Sequence, residues 1–163
     1  MPYLLDSDFV IDYLEEMPGA LRIYPELSRE GIAMSMVTFM EAYEGTLVAE
    51  DPASALAKLE DLLHAAQPLD FDRDVAAVCA RLRVQLRSQG KRVRSRAYDL
   101  QIAATAILYG LTLVSRNVKD YLDVGVQLRE YRQQIKRPGD CPASCVYFAP
   151  CAYCALPARS QPT

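Results

Sequence analysis

YDLQIAATAILYGLTLVSRNVKD, residues 98–120, is the stretch on which the fold turns. An acid, Asp99, stands where a small, strongly apolar helix begins. Gly110 ends that helix, and residues 111–114 then read as a short buried strand. The strand runs straight into a polar turn, Ser115-Arg116-Asn117. One tight connection therefore ties the helix to the strand. If the strand is parallel and central, Asp99 and Asn117 come toward the same edge of a sheet, and the chemistry is expected there.

Working outward, Tyr3-Leu4-Leu5 is short, apolar and followed at once by Asp6-Ser7-Asp8. This reads as a first buried strand with Asp6 at its carboxyl end, then a helix over 8–16. Pro18-Gly19 breaks that helix, and a second over 20–29 is closed by Gly31. A strand over 32–36 follows. Thr38 and Glu41 have the spacing of a capping box, which places Glu41 in the first turn after that strand. Leucines at 56, 59, 62 and 63 mark one buried face of a helix over 53–66, and Gln67-Pro68-Leu69 is a brief extended segment. Val75, Val78, Cys79, Leu82 and Leu86 recur at three and four, which gives a long helix over 73–88, ended by Gly90. Beyond the central stretch, one helical turn over 118–122 and an edge strand over 124–127 are predicted.

This alternation calls for an α/β fold with a mostly parallel sheet of four to five strands, covered on both faces. Right-handed crossovers place the carboxyl ends of the strands on one rim. From Arg129 onward prolines punctuate a segment without sustained period, so one domain over 1–128 and an irregular tail over 129–163 are expected.

Composition narrows the classes. A chain of 163 residues, 51% apolar, can bury one core. The net charge of -3 announces no general nucleic-acid binder, yet Arg81, Arg83, Arg87, Lys91, Arg92, Arg94 and Arg96 crowd one segment without an acid among them. That segment could steer an RNA backbone or be a solvated helix face and loop. The longest apolar run, 102–114, falls short of the roughly 20 residues of a membrane span, and the N-terminus has acids where a signal peptide would be apolar. A cytoplasmic location is expected. Of the 5 cysteines, Cys79 reads as core. Cys141, Cys145, Cys151 and Cys154 crowd the tail, where only the last pair has common zinc spacing. His64, the single histidine, is remote from the motifs.

Asp6, Glu41 and Asp99 each follow a strand or open a helix at the same rim, and Asp8, Asn117 and Asp120 can join them. Ionised carboxylates do not crowd together unaided: some take up protons, or a cation neutralises them. An oxygen-only set suits Mg²⁺ or Mn²⁺ better than zinc. Such an ion keeps several waters and takes phosphate oxygens as ligands, which suggests phosphodiester hydrolysis by a metal-activated water. Each acid also has a purely structural reading. Asp6 and Asp8 can cap the first helix, Glu41 can complete its capping box, and Asp99 can balance a helix dipole. That reading leaves unexplained why every cap on one rim is acidic.

The segments LLDSDFVID, MVTFMEAYEG, YDLQIAATAILYG and LTLVSRNVKDY, in this order and at these separations, resemble the motifs of the PIN-domain family. The resemblance is to its VapC-type toxin ribonucleases of bacterial toxin-antitoxin pairs in particular, and covers about residues 1–127. It implies a three-layer α/β/α fold and a Mg²⁺- or Mn²⁺-dependent endoribonuclease. Asp6 and Asp99 match the positions of metal ligands, and Glu41 that of a third acid nearby. Asn117 stands where many members carry Asp; an amide is a neutral, weaker ligand, and Asp120 is the acid that can compensate. The partners implied are an RNA substrate, an antitoxin whose C-terminal segment lies in the acidic groove, and a second copy in a homodimer. Two other readings stay open. Leu4-Leu5-Asp6-Ser7-Asp8 also resembles the start of haloacid-dehalogenase-like phosphatases, in which Asp6 would be the nucleophile, although Phe9-Val10 fits that family badly. A PIN-like module that binds RNA or protein without catalysis is the other, supported by Asn117 alone.

Overall fold

The computed structural model describes residues 2–132; the cysteines of the tail lie outside the described residues. Its five strands are β1 (Tyr3–Leu5), β2 (Ile32–Ser35), β3 (Gln67–Leu69), β4 (Thr112–Ser115) and β5 (Gln127–Glu130). They form one sheet in the order β3-β2-β1-β4-β5, with every neighbouring pair parallel. Six α-helices connect them: α1 (Ser7–Leu14), α2 (Pro18–Glu30), α3 (Met36–Leu47), α4 (Pro52–Ala65), α5 (Arg73–Ser88) and α6 (Ala97–Tyr109).

Side chains alternate across the strands, so each strand feeds two cores. Leu4, Ala33 and Leu113 face one side and pack with Val75, Cys79 and Leu86 of α5 and with Leu100 and Ala103 of α6. Leu5, Ile32, Met34 and Val114 face the other and meet Phe9 and Val10 of α1, Leu27 of α2, and Leu59 and Leu62 of α4. This is the expected three-layer α/β/α sandwich. Each fully buried leucine contributes about 1.5–3 kcal/mol, and Leu4, Leu5 and Leu113 are all 0% exposed.

The central stretch folds as its pattern requires. Helix α6 buries Leu100, Ile102, Ala103, Ala104, Thr105 and Ala106, apolar on most of its circumference, as befits an inner helix. Gly110 takes the left-handed conformation, φ 63°, and lets Leu111 N donate back to Ala106 O at 2.8 Å. That closure satisfies the last carbonyls and reverses the chain into β4.

Two local expectations are corrected. The cap of α3 is Ser35, whose Oγ accepts from Thr38 N at 3.0 Å, so Thr38 lies inside the helix and Thr38–Glu41 is not its capping box. Thr38 Oγ1 instead donates to Leu5 O at 3.2 Å, tying α3 to the end of β1. The last strand is Gln127–Glu130 rather than 124–127, because Gly125 at φ 74° turns the chain first. Tyr131, past the expected boundary at 128, is buried: its ring meets Phe9 edge-on and its hydroxyl donates to Asp12 Oδ2 at 2.6 Å.

Candidate active site

Strand β1 lies at the centre of the sheet, between β2 and β4, where the connections change direction. In open parallel sheets the crevice beyond the strand ends at such a point is where ligands bind. Asp6 follows β1 directly and is 5% exposed. Its Oδ1 accepts from Ser7 N and from the Tyr121 hydroxyl, each at 2.9 Å. Ser7 then reaches the other way, donating its hydroxyl to Glu41 Oε2 at 2.5 Å. Residues from β1, α1 and α3 are thus joined by direct contacts.

Glu41 and Asp99 both line a hollow of about 400 Å³, whose other walls are Arg94, Ser95, Arg96, Ala97 and Tyr98 at the start of α6. Asp6 is not one of its walls; Ser7 is its link to Glu41. Asp120 raises the proton affinity of Asp99 by its charge, and Asn117 Nδ2 donates to Asp120 Oδ2. The rim thus gathers Asp6 with Glu41, Glu41 with Asp99, and Asp99 with Asn117 and Asp120. Among the described residues, however, no three Asp, Glu, His or Cys side chains are grouped closely enough to hold a metal ion by themselves.

The electrostatics carry the cost of that gathering. Asp6 is pushed well above the usual carboxylate range, first by burial and then by the charge of Asp8, against the hydrogen bonds from Ser115, Tyr121 and the Ser7 amide. Burial and the charge of Asp99 raise Glu41, and burial and Asp120 raise Asp99, which Arg96 partly offsets. Burial beside Asp6 and Asp99 also pushes the Tyr121 hydroxyl up, so it remains a donor. An oxygen-only set whose members are each driven toward protonation fits a hard divalent ion held by one or two carboxylates and completed by water.

Three further residues buttress this rim. The Tyr121 hydroxyl grips Asp6. Asp8 holds the turn after β4: its Oδ2 accepts from Ser115 Oγ at 3.2 Å, Arg116 N at 2.9 Å and Asn117 N at 3.0 Å. Behind it Arg116 makes a forked contact to both oxygens of Asp12, at 2.9 and 3.0 Å. The basic segment is partly committed to structure. Arg96 grips both oxygens of Asp123, at 3.0 and 2.8 Å, and also donates to Asp120 O, while Lys91 reaches Asp123 at 2.9 Å. Arg81, Arg87, Arg92 and Arg94 stay exposed.

Among the described residues no helix is long and apolar enough to cross a membrane. The sequence pattern of the family described as PIN domain matches residues 3–125. Ribonuclease VapC2 of Haemophilus influenzae is 31% identical over 123 residues, spanning 74% of this chain and 90% of that protein. A tRNA(fMet)-specific endonuclease VapC of Shigella flexneri is 28% identical over 125 residues, 77% and 93% of the two chains. Among solved structures, DNA-bound VapBC from Salmonella typhimurium superposes with a TM-score of 0.72 at 25% identity, covering 80% of this chain and 98% of that one. VapBC2 from Rickettsia felis, bound to a DNA fragment from its promoter, gives a TM-score of 0.72 at 22% identity, covering 81% and 100%. Fold, motif order and relatives agree, and the chain belongs to the PIN domain family as a VapC-type member.

Proposed function

We propose that this chain is a Mg²⁺- or Mn²⁺-dependent endoribonuclease, the toxin of a toxin-antitoxin pair, acting at the acidic rim beyond β1. The observation that carries the reading is the run of contacts Tyr121–Asp6–Ser7–Glu41 beside Asp99, all five of these residues lying in the segments that resemble the family's motifs. Asp6 and Asp99 would hold the ion. Bound there, it would lower the pKa of water and offset charge building on a phosphate. Glu41, with its proton affinity raised and its Oε2 held by Ser7, would take or give a proton during phosphodiester cleavage. Asn117 steadies Asp120. Arg94, exposed at the wall of the hollow, would meet the RNA backbone. The same acidic hollow would attract a cationic segment of an antitoxin, and a second copy would complete a homodimer.

The phosphatase alternative loses ground because Asp8, the second acid of its motif, is engaged with the turn after β4. The test is incubation of transfer and messenger RNAs with the purified protein and Mg²⁺ or Mn²⁺. Internal cleavage is expected from the wild type and is abolished by Asp6→Ala, by Asp99→Asn and by chelation. Phosphate release from small phosphomonoesters without RNA cleavage would favour the phosphatase. Failure to bind Mn²⁺ in calorimetry would favour a non-catalytic module.

A further inference from the structure

We propose that Tyr121 is a positioning residue: its buried hydroxyl fixes the Asp6 carboxylate in the orientation in which it meets a divalent ion. The inference rests on the reading of Asp6 as a metal ligand and adds a residue to that site. Tyr121 follows a 3-10 turn, Val118–Asp120, and is 2% exposed. Its ring belongs to the core that includes Leu4, Leu100 and Val124, a place phenylalanine would fill equally well. The hydroxyl is surplus to that packing. Buried without a bond it would cost free energy, and its partner is Asp6 Oδ1 at 2.9 Å.

Asp6 shows what the bond does. It occupies the N-cap position of α1, with backbone φ -78° and ψ 161°. A capping carboxylate ordinarily accepts from the amides two or three positions along. Asp6 accepts from Ser7 N instead, and shares that same oxygen with Tyr121. Two donors from opposite ends of the chain converge on Oδ1, while Oδ2 carries neither bond. Without the hydroxyl the carboxylate keeps only the Ser7 amide and Ser115, and can swing back over the helix toward the ordinary cap position at Asp8 N or Phe9 N. Hydrogen bonds to ligating carboxylates are the usual device for holding them, and losing one typically costs about 10–100-fold in metal affinity or activity.

The experiment compares the full-length wild type with Tyr121→Phe in calorimetric Mn²⁺ titration, thermal unfolding in chelator, and the carboxyl-carbon NMR resonance of Asp6 in metal-free protein. The expected result is Mn²⁺ affinity weakened about 10–100-fold, a cooperative unfolding transition retained, and a displaced Asp6 resonance. Equal Mn²⁺ affinity in both proteins overturns the role of Tyr121 and leaves the metal site standing. So does a lowered melting temperature with unchanged affinity, or an unmoved resonance. A wild type that binds no Mn²⁺ removes the metal reading itself, and the role of Tyr121 with it.

Discussion

The metal-free protein should be more stable at mildly acidic pH than at neutral pH, and Asp8 sets a figure on the effect. Burial raises Asp8 from 3.8 to about 6, with Arg116 opposing and the charge of Asp12 adding. A raised folded-state pKa means the folded chain holds its proton longer than the unfolded chain. The associated stability is therefore complete below 3.8 and lost as pH rises through about 6. A shift of that size corresponds to about 3 kcal/mol, and because Asp8 is partly exposed, screening brings the expectation to about 1–3 kcal/mol. Asp6, Glu41 and Asp99 are raised too and act in the same direction. Asp123 is held well below the usual range, first by its bonds from Arg96, so it is ionised throughout this window and adds no slope. The assay is urea unfolding in chelator between about pH 5 and 7.5, for the wild type and for Asp8→Asn, whose amide oxygen can still accept from Arg116 N and Asn117 N. The wild type should lose stability across the window, and Asp8→Asn should lose about 1 kcal/mol less, since part of the effect already falls below about pH 5. A wild-type stability that is flat or rises with pH, or an equally steep variant, would refute the reasoning.

Arg96→Ala removes the forked contact to Asp123 and the bond to Asp120 O, and should cost about 1–3 kcal/mol in urea unfolding. Lys91→Ala, at a pair whose lysine is 41% exposed, should cost no more than about 1 kcal/mol, so equal losses would contradict the geometry. Phe9→Ala opens a cavity under Tyr131 in a fully buried position and should cost about 3–5 kcal/mol by the same measurement; a loss below about 1 kcal/mol would mean the core is not packed as described.

The central strands could be read from the chain because their patterns are local: Leu4-Leu5 before Asp6, and Gly110 before an apolar run. Helix α5, Arg73–Ser88, matches its predicted bounds because apolar spacing and a following glycine both mark it. The misreadings arose where two local signals competed or where the decisive contact was remote. Ser35 and Thr38 can each cap a helix, and only the place where β2 ends selects Ser35. Gln127–Glu130 carries little strand signature and becomes a strand by pairing with β4. At the site, the acids at 6, 41 and 99 were visible because they are chemically loud at element ends. Tyr121 was not, since a tyrosine after an acid reads as packing until Asp6 is found beneath its hydroxyl. The pairing of Arg96 and Lys91 was not legible, because composition cannot show that Asp123 engages them.

The pairing of β1 with β4, Tyr3 opposite Thr112, has a consequence for the order of events during synthesis. The first strand emerges long before its neighbour, and contacts so distant in sequence form late and slowly. Asp6 cannot meet Tyr121, nor Glu41 share a hollow with Asp99, until nearly the whole described chain has been made and has closed on itself. The acidic rim is therefore assembled only when translation of the described domain is essentially finished.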